Sequence, residues 1–116
     1  MDPRRRVPRI STDNWPGRCS PDGEPHWELD CEVVDLSLLG VGILLRGDAH
    51  TVREGQRLVV WVYAPIGGSV SLRLVGHVRN LVPTEGGRTR VGMEFVDLSE
   101  TEQAILQVFE IMKVFW

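Results

Sequence analysis

The sequence predicts an all-β domain, either an antiparallel barrel or a sandwich of about six strands, followed by one helix. Three features indicate this fold class. Apolar and polar residues alternate in several runs, as they do in strands that bury one face. Turns that contain glycine or proline separate the runs. The apolar spacing changes to that of a helix only after Ser99.

The strands are assigned in chain order. The first strand is weakly marked and is anchored by Trp15, whereas the alternation is clear from Trp27 onward. A Pro-Asp-Gly turn separates these two strands, because proline presets one turn dihedral and glycine accepts a positive one. The predicted strands cover residues 14–19, 27–34, 41–45, 57–64, 70–79 and 89–96.

A C-terminal helix is predicted over residues 99–115. Ser99 suits the N-cap position, and Glu102, three residues later, completes a capping box. Apolar residues then recur at helical spacing: Ile105, Val108, Phe109, Met112 and Phe115. We expect this stripe to pack on the core of the domain, and the alternative is that it pairs with the helix of a second copy.

The length of 116 residues suits one domain with its own hydrophobic core. No apolar run is long enough to cross a bilayer, and no secretory signal is visible, so a cytoplasmic location is expected. The two cysteines, Cys19 and Cys31, lack metal-ligand or redox spacing, and the three histidines share no ligand spacing with them. We expect reduced cysteines, no metal and no cofactor.

The charge is unevenly distributed along the chain. Residues 1–10 carry four arginines and one aspartate, whereas the remainder has a net charge of -6. We therefore divide the chain into a flexible basic N-terminal arm, residues 1–13, and an acidic body, residues 14–116. This distribution favours a compact anionic ligand over a nucleic-acid polymer, which the acidic body would repel. The alternative is a solvated tail without a ligand.

No catalytic constellation is present, so we do not expect an enzyme. Asp35 and Ser37 lie two residues apart and would project to one side of an extended chain, but no histidine has a sequence reason to join them. Such residues either bond the backbone of a turn or bind a ligand. Arginine in the arm can pair with a phosphate or with the O6/N7 edge of guanine. A carboxylate can accept hydrogen bonds from the N1 and N2 donors of guanine.

Two motifs in this order resemble the paired signature of PilZ domains, which are receptors for the bacterial second messenger cyclic di-GMP. The motifs are Arg4-Arg5-x-x-x-Arg9 and Asp35-x-Ser37-x-x-Gly40. The strand pattern and the C-terminal helix agree with the family, so the resemblance covers nearly the entire chain. It implies a six-stranded antiparallel β-barrel with a C-terminal helix and a flexible arm that folds over the ligand.

The resemblance also implies residue roles. Arg5 and Arg9 would hold phosphates and guanine edges with help from Arg4, Asp35 and Ser37 would contact a guanine, and Gly40 would keep the turn open. The expected function is a bacterial, cytoplasmic cyclic di-GMP receptor or adaptor that signals to a downstream protein as a monomer or weak homodimer. The alternative is a PilZ-like interaction scaffold that binds no nucleotide.

Overall fold

The computed structural model describes residues 10–23, 26–46, 51–66 and 69–112. Within these ranges the chain forms six strands and one helix. The strands are β1 (Ile10–Pro21), β2 (Leu29–Leu36), β3 (Gly40–Arg46), β4 (Arg57–Ala64), β5 (Val70–Thr84) and β6 (Arg88–Phe95), and the helix is α1 (Glu100–Met112). None of the described helical segments is long and apolar enough to span a membrane.

The six strands close into an antiparallel barrel in the order β1-β2-β3-β6-β5-β4. This arrangement resolves the choice between barrel and sandwich and confirms the predicted six-stranded barrel with a C-terminal helix. The barrel closes through pairing of β1 with β4, while β3 pairs with β6 although the two strands are far apart in sequence. The β3–β6 pairing therefore brings the turn after β2 next to the last strand.

The core fills the barrel with aliphatic side chains from alternating strand positions. Residues with almost no exposure come from every side of the barrel: Cys19, Val33, Ile43, Leu58, Leu74 and Val91. Helix α1 adds Leu106 and Phe109 to this core, and the Phe109 ring meets Trp15 edge to face at 5.9 Å. Burial of these apolar side chains is the main force that holds helix and barrel together.

The first strand begins earlier than the sequence predicts. β1 starts at Ile10, inside the segment assigned to the arm, and Ile10 pairs with Leu36. Thr12 is buried, and its hydroxyl donates a hydrogen bond to the carbonyl of Val33. The register shifts between Ser11 and Trp15, which explains the missing alternation because a bulge breaks the period of two.

The helix begins as predicted, with a different set of buried residues. The amide of Glu102 donates to the Ser99 hydroxyl at 3.1 Å, as expected for an N-cap. Leu106 and Phe109 face the core, whereas Val108, which we assigned to the buried stripe, is 49% exposed. The stripe is therefore rotated, and residues 113–115 of the predicted helix lie outside the described residues.

Candidate functional site

A β-bulge in β2 turns Asp35 to the outer surface of the barrel. Val33 and Leu36 are both buried although they stand three residues apart, so one extra residue lies between these two inward positions. The β2–β3 register shifts between Val33 and Asp35. Without the bulge the alternation would direct Asp35 into the core with Val33, because side chains separated by two share a face.

Asp35 is held on this outer surface by an arginine from another part of the chain. Its carboxylate forms an ion pair with the Arg90 guanidinium on β6, and only 16% of the Asp35 side chain is exposed. Asp35 lies opposite Gly42, and a Cβ atom at Gly42 would come within 2.8 Å of the Asp35 Oδ2. The missing side chain of Gly42 therefore leaves the space that the carboxylate occupies.

Ser37 lies beyond the end of β2, in the turn to β3. The prediction that Asp35 and Ser37 project to one side of an extended strand therefore does not apply to Ser37. Its hydroxyl accepts hydrogen bonds from the amides of Leu39 and Gly40, both at 3.1 Å. The amide of Ser37 donates to the carbonyl of Gly40 at 3.0 Å. The residue is buried. Ser37 thus stabilises the turn itself, as short hydroxyl side chains often do.

Gly40 is required by a close backbone approach. A Cβ atom at this position would stand 2.1 Å from the carbonyl oxygen of Met93 on β6. The amide of Phe95 donates to the carbonyl of Leu39 at 2.8 Å, which fastens the turn to the same strand. We expected Gly40 to keep the turn open toward a ligand, and the structure supplies a reason that involves β6 alone.

A second arginine–carboxylate group lies beside Asp35 on the same outer surface. Glu32 accepts a hydrogen bond from Arg88 at 3.2 Å, and Arg46 stands 4.0 Å from its other oxygen. The three arginines Arg46, Arg88 and Arg90 thus meet two carboxylates on the face of β2, β3 and β6. We name this the β6 arginine face. Its charge balance is positive although the body as a whole is acidic.

The β6 arginine face was not predicted from the sequence. Arg88 and Arg90 stand two apart in β6 and therefore share a surface, which the alternation in β6 could have indicated. Their nearness to Asp35 depends on the β3–β6 pairing, which joins strands more than forty residues apart in sequence. No local pattern predicts such a pairing.

A shallow cavity of about 320 Å³ opens next to the β6 arginine face. Its lining comes from β1, β2 and β3: Asn14, Pro16, Asp30, Cys31, Glu32, Leu44 and Arg46. Asn14 donates a hydrogen bond to Glu32 at 3.2 Å, so the wall of the cavity and the arginine face share one carboxylate. The surface beside Glu32 is therefore concave, as ligand sites generally are, and its lining mixes polar and apolar side chains.

The two cysteines lie inside the barrel as free thiols. Contact with the Cys19 thiol, together with burial, raises the pKa of Cys31 far above its ordinary value. The Cys31 thiol therefore stays protonated and unreactive. Among the described residues, no three His, Cys, Asp or Glu side chains come together as metal ligands.

Of the six predicted site residues, the structure describes Asp35, Ser37 and Gly40, and it brings them together at the β2–β3 turn. Arg4, Arg5 and Arg9 lie outside the described residues. The backbone that follows them is placed, because Ser11 pairs with Asp35 at the start of β1. The assigned roles of these six residues in ligand contact remain predictions.

Comparison with known proteins identifies related domains. A family model described as the PilZ domain matches residues 3–110. The chain is similar to Escherichia coli YcgR in complex with c-di-GMP, with 25% identity and a TM-score of 0.71 over 96% of this chain and 47% of that chain. The PilZ domain of E. coli YcgR with c-di-GMP gives 23% identity and a TM-score of 0.71 over 96% of this chain and 92% of that one.

The Bacillus subtilis inhibitor of motility MotI/DgrA shares the fold at 14% identity, with a TM-score of 0.76 over 93% of this chain and 50% of that chain. This chain thus spans about half the length of YcgR and of MotI/DgrA. A comparison with curated proteins finds no match. The family model covers most of the sequence, and the strands form a closed six-stranded barrel. The chain belongs to the PilZ domain family.

Proposed function

We propose that this domain is a bacterial, cytoplasmic receptor for cyclic di-GMP that acts by binding and not by catalysis. The family membership and the two YcgR structures with c-di-GMP support this proposal. A cyclic dinucleotide carries two phosphates and two guanines, which suits a surface that combines arginines with a carboxylate.

The start of β1 is the observation that carries the proposal. Ile10 lies opposite Leu36 and Ser11 lies opposite Asp35, so β1 enters the barrel beside the Asp35-x-Ser37-x-x-Gly40 motif. Arg9 directly precedes Ile10, and consecutive Cα atoms are about 3.8 Å apart. Arg9, the last arginine of the first motif, is therefore tied by the chain to the neighbourhood of the second motif.

We assign the ligand contacts in accordance with these positions. Arg5 and Arg9 bind the phosphates and guanine edges with help from Arg4, and Asp35 accepts hydrogen bonds from a guanine. The Ser37 hydroxyl already accepts two turn amides, so its contribution is to shape the turn as much as to contact the ligand. Gly40 lets the turn approach β6.

Binding transmits a signal by ordering the segment that carries the arginines. Ordering each residue costs about 1–2 kcal/mol of conformational entropy, so the charge-assisted contacts must exceed that cost. The closed segment then presents a new surface to a downstream protein.

Isothermal titration calorimetry with cyclic di-GMP tests the proposal. We expect Arg5→Ala and Arg9→Ala each to weaken binding at least about tenfold, because each variant removes a charge-assisted contact. Arg6→Ala is the matched control, since it removes an equal charge from the same segment outside the motif. Arg9→Lys should also weaken cyclic di-GMP binding, because an ammonium group cannot form the two parallel hydrogen bonds of a guanidinium group.

Two results would contradict the receptor proposal. One is the absence of cyclic di-GMP binding by the wild-type domain at concentrations where circular dichroism shows a folded barrel. The other is an equal loss for Arg5→Ala, Arg9→Ala and Arg6→Ala, which would reduce the first motif to unspecific charge.

A PilZ-like interaction scaffold is the second candidate, and two observations favour it. The Ser37 turn is satisfied by its own backbone, and α1 leaves Val108 and Ile111 exposed, the latter by 65%. Nuclear magnetic resonance separates the candidates. Shifts of the Arg5, Asp35 and Ser37 amides on addition of cyclic di-GMP support the receptor, and unchanged amides support the scaffold.

A further inference from the structure

We propose that Arg90 positions the Asp35 carboxylate for guanine and so sets the base selectivity of the domain. This inference rests on the proposed function, since it concerns the same ligand. It adds a residue that belongs neither to the arginine motif nor to the turn motif. Arg90 reaches Asp35 from β6, the strand farthest from it in the sequence.

The Arg90–Asp35 pair bridges strands that are not neighbours in the barrel. Asp35 lies on β2 opposite Gly42, and Arg90 lies on β6 opposite Leu44, so β3 runs between them. Two strand spacings, about 10 Å, separate their backbones. The guanidinium crosses β3 where Gly42 has no side chain, and the carboxylate rests over that glycine. The pair therefore depends on Gly42.

This bridge fixes the direction of a side chain whose direction matters. A carboxylate selects guanine through the N1 and N2 donors, and adenine offers no matching pair of donors. A carboxylate free to rotate about its own bonds would lose part of this discrimination, because recognition by directional hydrogen bonds requires a held geometry. Arg90 holds Asp35 from the side opposite β1, the strand that follows the arginine motif.

The bridge also reduces an electrostatic conflict. A cyclic dinucleotide carries two negative charges, and an unpaired carboxylate on the binding surface would repel them. Arg90 neutralises the charge of Asp35 from β6, and it does not lie on β1, the strand that precedes β2 in the barrel. Loss of Arg90 therefore has two effects, a general loss of positive charge and a specific loss of Asp35 orientation. The two effects are separable by experiment.

Arg88 provides the matched control. It also lies on β6, also reaches across β3 to a β2 carboxylate, and removes the same charge when replaced. Its partner is Glu32, which lies outside the Asp35-x-Ser37-x-x-Gly40 motif. The comparison of Arg90→Gln with Arg88→Gln thus isolates what Arg90 does through Asp35.

The experiment measures the dissociation constants of cyclic di-GMP and cyclic di-AMP for wild type, Arg90→Gln, Arg90→Lys and Arg88→Gln. We expect Arg90→Gln to weaken cyclic di-GMP binding about tenfold more than Arg88→Gln does, and to lower the ratio of the two constants. Arg90→Lys should lie between wild type and Arg90→Gln, and it provides a milder variant should Arg90→Gln fold poorly. Arg88→Gln should keep the wild-type ratio.

A double-mutant cycle with Asp35→Asn completes the test. If Arg90 acts through Asp35, then Arg90→Gln in the Asp35→Asn background has no more effect than Arg88→Gln in that background. A full Arg90 effect that persists without the Asp35 charge would overturn the inference and would indicate direct contact of Arg90 with the ligand.

The remaining outcomes also test the role of Arg90. Equal affinities and ratios for Arg90→Gln and Arg88→Gln overturn the inference while the receptor function stands. Tighter binding by Arg90→Gln overturns it as well, because the pair would then compete with the ligand. A wild-type domain that does not bind cyclic di-GMP overturns both the proposed function and the inference.

Discussion

The motif around the β2–β3 turn has two halves that use their polar groups differently. In the turn half, Ser37 and Gly40 hydrogen-bond each other, and the Leu39 carbonyl between them accepts from the Phe95 amide of β6. In the strand half, the Asp35 carboxylate lies over Gly42 on the outer surface and pairs with Arg90 of β6. Both halves contain one polar residue and one glycine, and both depend on β6.

The difference shows that the same residue types serve structure and binding within one short segment. Gly40 is constrained by a backbone carbonyl, which cannot move without the strand, whereas Gly42 is constrained by a side chain, which can rotate. We therefore expect changes in the turn half to lower stability, and changes in the strand half to lower affinity. The variants below separate these two readouts.

The largest effect is expected for Gly40→Ala. The added Cβ would lie 2.1 Å from the Met93 carbonyl oxygen, so β3 and β6 must separate. We expect a loss of about 3 kcal/mol in the free energy of unfolding, near the upper range for overpacked sites. Urea denaturation followed by circular dichroism measures it. A midpoint equal to that of wild type would show that the turn is not fixed by β6.

Ser37→Ala should have a smaller effect of the same kind. It removes the acceptor for the Leu39 and Gly40 amides in a buried turn. We expect a loss of about 2 kcal/mol in the free energy of unfolding, since buried donors lose their partner. Ser37→Thr keeps the hydroxyl and is the control. If Ser37→Ala instead preserves stability and abolishes cyclic di-GMP binding, the hydroxyl serves the ligand directly.

Some strands of the fold could be predicted from the sequence, and others could not. Alternation predicted β2 and β6, which bury one face, whereas apolar runs predicted β3 and β4, which contain consecutive buried residues. The early start of β1 was missed because a bulge with Asn14 at a positive φ of 57° interrupts the pattern. Residues 80–84 of β5 were missed because they extend beyond the barrel core and are mostly exposed.

The candidate site was likewise predictable only where its residues are close together in the sequence. The turn motif was predictable because Asp35, Ser37 and Gly40 lie close together in the sequence, and it also carried the family resemblance. Arg90 was not predictable because its distance from Asp35 is set by the β3–β6 pairing. The alternation of side chains in β2 alone would have placed Asp35 in the core. The bulge that turns its side chain outward has no clear signal in the local sequence. Tertiary pairing, and not composition, completes the site.

In the strand half, Gly42→Ala should separate affinity from stability. The new Cβ would come within 2.8 Å of the Asp35 carboxylate, which can rotate away from Arg90. We expect a loss of about 1 kcal/mol in stability and a fall of about tenfold in cyclic di-GMP affinity. Calorimetry and urea denaturation of the same preparation measure both. A stability loss equal to that of Gly40→Ala would erase the distinction between the halves.

The smallest effect is expected for Arg57→Gln, in an arginine–carboxylate cluster outside the motif. The Arg57 guanidinium lies 2.7 Å from Asp22 and 3.0 Å from Asp97, joining the end of β1 and the loop before α1 to β4. The Asp97 hydrogen bond is the main cause that raises the pKa of Arg57, so its guanidinium stays charged.

Because the Arg57 pairs are partly exposed, water screens them and the expected fall in Tm is small. Cyclic di-GMP affinity should not change, since no residue of the cluster belongs to the motif or to the β6 arginine face. Differential scanning fluorimetry and calorimetry measure the two quantities. A fall in affinity as large as that of Gly42→Ala would show that any arginine on this acidic body supports binding. The orientation of Asp35 would then matter less than net charge.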